Sequence, residues 1–264
     1  MPFVVIDKSW LQGTPAKEID KIASSHRFLM PFFLLYELLT TAEEADRIQC
    51  FKKLIRVQHR IDLVEHIGVL LEHEVKKQAP CTPIQNQIVP VAFQFNEALT
   101  KPNFVLNAIQ EQSISDLRKT WEVSDIEKLK RSFSGISYWF PDLRNYRPGF
   151  APNLIERAKT VVSQNSAIVR TVYGSLRKDS YPPAENIDEN WAWFRRTQVY
   201  LLAAIDYVGK YGAGNSAVKS KKIPNSYLDL QYCVLGALTK GLATRDNELR
   251  GYFKLVCPEG VLVS

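Results

Sequence analysis

Residues 241–253 read GLATRDNELRGYF. A short apolar run, Leu242-Ala243-Thr244, gives way to Arg245 and then to Asp246. Two readings compete for that acid. Asp246 precedes Asn247-Glu248-Leu249, and Asp is a residue type that opens helices by accepting a backbone N–H. Taken alone, this cap is the stronger reading. Alternatively, a buried strand that ends in a carboxylate carries charge to the rim of a sheet, where ligand sites form. The rest of the chain has to decide.

Working outward, Leu228 to Lys240 has helical spacing through Leu228, Tyr232, Leu235 and Leu238, and Gly241 is a natural stop. Tyr252 to Val256 alternates like a final strand before Pro258. The N-terminal stretch predicts strand, loop, helix, strand, helix. Phe3-Val4-Val5-Ile6 is a continuous apolar run suited to a strand covered on both faces, and it ends at Asp7. Pro15 to Ser24 is helical in spacing, Arg27 to Met30 fits a second strand, and Pro31 opens a helix carrying Phe32, Leu35, Leu38 and Leu39, with Glu37 among them. Strands alternating with helices predict parallel pairing in a three-layer α/β/α sheet.

Residues 43–222 read differently. Ala45 to Lys77, Asn96 to Ser113, Asp125 to Phe133, Pro152 to Leu176 and Asp188 to Tyr211 are all patterned as helix, while residues 79–90 hold three prolines and read as a connector. The expected architecture is thus a core of residues 1–42 and 223–264, interrupted by a long helical insertion at 43–222. Ile88 to Val91 and Ala167 to Val169 are the candidates for any further core strand inside it.

The chain has 264 residues, 45% hydrophobic and 23% charged, enough for a sizeable core. The opening MPFVVIDKSW lacks the pattern of a secretory signal, and the most apolar stretch, Phe28 to Tyr36, is too short to span a membrane. Cysteines at 50, 81, 233 and 257 have neither C-x-x-C nor zinc-finger spacing, so buried thiols in a reducing cytoplasm are expected. A net charge of +6 permits contact with phosphate backbones without proving it.

Four acids stand out. Asp7 and Asp246 follow strands, while Glu37 lies within FFLLYELL and Asp229 within SYLDLQYCVL. In a parallel sheet the strand ends meet in one crevice, and like charges gathered there disfavour joint ionisation. A hard divalent cation, Mg²⁺ or Mn²⁺, relieves that repulsion, and carboxylate-held cations suit phosphodiester hydrolysis.

These residues together resemble the PIN-domain nucleases. The resemblance rests on Val5-Ile6-Asp7-Lys8-Ser9, on Tyr36-Glu37-Leu38, and on the Asp229 helix followed by Leu242-Ala243-Thr244-Arg245-Asp246. It covers under a third of the chain. It implies a metal-dependent endoribonuclease leaving 5′-phosphate and 3′-hydroxyl ends, with RNA ahead of DNA as substrate and Asp7, Glu37, Asp229 and Asp246 as metal ligands. Ser9, Thr244 and Asn225 would tune the acids by hydrogen bonding. Lys219, Lys221, Lys222 and Arg245 would guide the nucleic-acid backbone. A protein partner or inhibitor and a homodimer are also compatible with such a protein. The rival reading is a non-catalytic binding or assembly protein that docks a partner on its helical insertion; a phosphatase on the same acids is a third.

Other clusters read more plainly. Glu65-His66 and Glu72-His73-Glu74 predict a solvated charged face. Trp191 to Arg196 predicts helix packing with a basic outer edge. Arg131 to Phe150, RSFSGISYWFPDLRNYRPGF, mixes Arg with aromatic residues, a pattern of partly buried loops and of surfaces that stack on unpaired bases. No Walker loop, nucleophile elbow or dinucleotide fingerprint is present.

Overall fold

The computed structural model describes residues 1–86, 94–120, 129, 135–213 and 223–264, with side chains left out at 85, 86, 117, 118, 120 and 223–226. Its sheet has five strands, all parallel, in the order β3-β2-β1-β4-β5. In chain order the elements are β1 (Phe3–Ile6), α1 (Lys8–Gly13), α2 (Ala16–Ala23), β2 (Arg27–Pro31), α3 (Phe32–Leu39), α4 (Glu44–Arg56), β3 (Ile61–Val64) and α5 (Ile67–Lys77). There follow α6 (Ala108–Thr120), α7 (Pro152–Gln164), α8 (Ser166–Leu176), α9 (Ala192–Tyr211), α10 (Ile223–Thr239), β4 (Gly241–Ala243), α11 (Asn247–Val256) and β5 (Val261–Val263).

β1 is central because its sequence allows nothing else. Val4, Val5 and Ile6 are fully buried, and a run with no polar face must be covered on both sides. Each such side chain contributes about 1.5–3 kcal/mol by leaving water. Val5 lies between Leu29 of β2 and Leu242 of β4. Gly241 makes the second pairing possible, since a Cβ there would meet the Phe3 carbonyl oxygen at 2.2 Å.

From β1 the chain moves outward to β2 and β3, then crosses back to β4 and β5 on the other side. Right-handed crossovers in opposite directions put their helices on opposite faces. Accordingly α1 to α4 pack among themselves, while α5, α9, α10 and α11 form a second packed group. The fold is α/β with a parallel sheet between helices, as the alternation of elements implied.

Several expectations are corrected. The middle strand is Ile61–Val64, inside the stretch read as helical, and Asp62 sits in it because Arg27 on β2 pairs with its carboxylate at 2.5 and 2.7 Å. Ala167 to Val169 belongs to α8, and Ile88 to Val91 lies outside the described residues. Tyr252 to Val256 is the second half of α11, whose buried Leu249, Tyr252, Phe253 and Val256 follow the helical period, and the last strand is Val261–Val263. The stretch after β1, expected as a loop, is largely the short helix α1, and the patterning over 96–113 resolves into a one-turn helix at Glu97–Thr100 and the start of α6.

The insertion is bound into the core. Glu74 is fully buried, and its carboxylate accepts from the backbone N–H of Ala192 at 2.6 Å, Trp193 at 3.1 Å and Cys81 at 3.3 Å. It thus serves two unpaired donors at the start of α9. Glu74 does not belong to a solvated face. Arg195, expected on a basic edge, is also buried, bonded to the carbonyls of Glu189 and Val256 and to Gln198. Arg196 lies over the rings of Trp193 and Tyr200. All four cysteines are buried free thiols.

Candidate functional site: an acidic crevice at the switch point

The sheet order reverses between β1 and β4, and the carboxyl ends of these strands flank the crevice where parallel sheets bind ligands. Asp7 and Asp246 both sit there. α10 runs antiparallel to the strands, so Asp229 in its first half lies at the same end, with Tyr232 one turn further on, as does α3 leaving β2.

Asp7 ends β1 and opens α1. Its Oδ1 accepts from the Trp10 N–H at 2.7 Å, and the Thr244 hydroxyl donates to Oδ2 at 2.6 Å. The Ser9 hydroxyl reaches the same carboxylate at 2.9–3.0 Å and accepts from the backbone N–H of Arg245 and of Asp246. A hydroxyl has one proton to give and two lone pairs. Ser9 therefore spends everything it has on joining the tip of β1 to the tip of β4. Burial pushes the Asp7 carboxyl above its ordinary value, against the pull of Thr244, Trp10 and Ser9.

Asp246 settles the question posed by residues 241–253. Its Oδ1 accepts from Leu249 N–H at 2.8 Å, so it is the N-cap of α11. It is also an exposed charge beside the others: it raises both Asp7 and Asp229. The cap and the strand tip are one position.

Glu37 accepts from the buried Tyr232 hydroxyl at 2.5 Å, and the edge-on contact of Phe33 with the Tyr232 ring holds α3 to α10. Burial pushes Glu37 up to about 7, while Tyr232 and the Lys8 charge pull the other way. Asp229 is pushed up to about 8 by burial first, then by Asp246, Glu37, Asp7 and Glu248. With Asp246 and Glu248 it lines a cavity of about 50 Å³, room for a few waters or an ion and its water. Among the described residues no hydrogen bond reaches the Asp229 carboxyl.

The four acids named from the sequence are thus brought into one field. They do not form one coordination sphere: among the described residues no three Asp, Glu, His or Cys side chains are gathered to hold a metal ion. Asp7 is enclosed by donors, and one oxygen of Asp246 serves its helix. The donor set itself, all oxygen and mutually repelling, has the chemistry of a hard-cation site.

Ser9 and Thr244 both donate to the Asp7 carboxylate. Arg245 does not point outward as a free cation; its guanidinium donates to the Gly13 carbonyl at the end of α1. The Asn225 side chain and Lys219, Lys221 and Lys222 lie outside the described residues. Tyr232, Lys8 and Glu248 were missed. Tyr232 carried a signal, since it stands three residues after Asp229 and so shares its helix face. Compared with protein-family profiles, curated proteins and solved structures, the chain finds no match. Among the described residues no helix is long and apolar enough to cross a membrane.

Proposed function

We propose that the protein is a metal-dependent phosphodiesterase of PIN-like kind, an endoribonuclease that hydrolyses RNA. One observation carries the reading: at the switch point of a parallel sheet, Asp229 is buried within the field of Asp246, Glu37 and Asp7, acids from three other elements, with a small cavity beside it. Asp7, Glu37, Asp229 and Asp246 would hold Mg²⁺ or Mn²⁺. Bound there, the cation would supply Lewis acidity and an acidified water. The chain's own residues do the rest. Ser9 and Thr244 fix the orientation of Asp7, Tyr232 fixes Glu37, and Lys8 offers a positive charge beside the acids. Asp229 holds a proton near neutral pH until positive charge displaces it.

The test incubates the protein with end-labelled single-stranded RNA and DNA in Mn²⁺, Mg²⁺ or EDTA, beside Asp229→Asn. Cleavage that needs metal and is lost in the variant is the expected result; a variant cutting with unchanged metal dependence would overturn it. A second reading, a non-catalytic assembly protein docking a partner on its helices, draws on the engagement of Asp7 by donors already in place. Calorimetric titration with Mn²⁺ separates the two, because only the first requires binding.

A further inference from the structure

The segment from Ile136 to Phe150 is anchored from beneath and open above. Ile136, Leu143 and Tyr146 are buried, yet Tyr138 is 72% and Phe150 87% exposed. Large rings exposed together on one short segment form the kind of apolar patch that marks an interaction site. The half-buried Trp139 holds Tyr138 edge-on, with ring centroids 4.8 Å apart. Arg144 and Arg147 are exposed, and neither has an ion-pair partner among the described residues. Asp142, Asn145, Arg147, Phe150 and Leu154 line a cavity of about 250 Å³, large enough for a flat ring system.

This surface adjoins the acidic crevice. The Ala213 N–H donates to the Tyr146 carbonyl at 3.1 Å, and Pro148 packs against Gly212, whose φ of +83° suits glycine. Gly212 ends α9. Tyr207, one turn and a half earlier and roughly 7–8 Å back along the axis, lines the acid cavity. The rings of Tyr207 and Tyr211 lie 5.5 Å apart along that path.

We propose that the Tyr138–Phe150 surface is a subsite for an unpaired base of single-stranded nucleic acid. Phe150 stacks on the base, Asp142 and Asn145 offer hydrogen bonds to its edge, and Arg144 and Arg147 meet the phosphates. Protruding rings need a free base face, which a duplex does not present. The proposal rests on the phosphodiesterase reading for where the strand leads, but not for whether it binds.

The test is fluorescence anisotropy in EDTA with a labelled oligouridylate of about 12 nucleotides, a length in the range of single-strand sites. Wild type, Phe150→Ala and Arg147→Ala are compared, with unchanged melting temperatures confirming that these exposed changes leave the fold intact. Phe150→Ala is expected to weaken binding about tenfold, and Arg147→Ala to flatten the salt dependence by about one phosphate contact. A wild type that binds but cuts nothing supports the subsite while sinking the catalytic reading. A wild type that does not bind, a Phe150→Ala variant with unchanged affinity, or equal competition by poly-glutamate would overturn the subsite.

Discussion

The Thr244 hydroxyl donates to Asp7 across 237 positions of sequence, at 2.6 Å, and also accepts from the Asp246 N–H at 3.1 Å. One side chain thus binds the ends of two neighbouring strands and fixes an acid between them. Thr244→Val keeps the shape and removes both bonds. Such a loss is expected to lower stability by about 2 kcal/mol, or roughly 4–8 °C in Tm. A thermal melt with no shift would show the network to be idle.

Asp246 caps α11, and under the proposed function it also holds the metal; substitution can separate the two. Asn caps a helix about as well as Asp, so Asp246→Asn should melt within about 1 °C of wild type while losing metal-dependent cleavage. Asp246→Ala should lose cleavage and about 1 kcal/mol as well. If the Asn variant cleaves normally, Asp246 is only a cap.

The raised acids make stability depend on pH in a defined direction. Glu37 goes up to about 7 and Asp229 up to about 8 in the fold, from ordinary values of 4.5 and 3.8. Between those limits the native state binds protons that the unfolded chain has released, so the contribution is full below about pH 4 and is lost as pH rises toward 8. Melts in EDTA should therefore show a lower Tm at pH 8 than at pH 6, and Asp229→Asn should reduce the difference.

Positive charge should reverse that penalty. Mn²⁺ at a hundred times its dissociation constant is expected to stabilise the protein by about 2.7 kcal/mol, and the gain should vanish in Asp229→Asn. A Tm indifferent to Mn²⁺ favours the assembly-protein reading.

Glu74 tests how the helices of the insertion are held. Glu74→Ala removes the carboxylate that accepts from the Ala192, Trp193 and Cys81 N–H groups and should lower stability by about 3 kcal/mol or more. Glu74→Gln keeps one oxygen and should recover part of it. Equal melts for all three proteins would exclude the cap.

How far the sequence could be read depended on window length. β1 and β2 were legible as unbroken apolar runs and α2 and most of α10 by a clear helical period, and the four acids were legible because they interrupt or end apolar runs. β3 was hidden by Asp62, whose partner Arg27 is on another strand and unseen in a local window. Tyr252 to Val256 was misread over five residues; extended back to Leu249, the spacing is helical. Glu74 and Arg195 looked like surface residues because their acceptors and donors are distant backbone groups. That Asp246 could cap a helix and still stand beside Asp7 and Asp229 was not a choice the sequence offered.

The connection from β3 to β4 spans residues 65 to 240 and carries nearly all the added helices. During synthesis β1 and β2 are paired long before β4 exists; at 5–20 residues per second the wait is roughly 10–35 s. Through that interval β1 presents an open edge, and Asp7 has neither Thr244 nor the neighbours that load it with charge. The crevice therefore cannot assemble until β4 and the turn into α11 have emerged, long after β1 and β2 have paired.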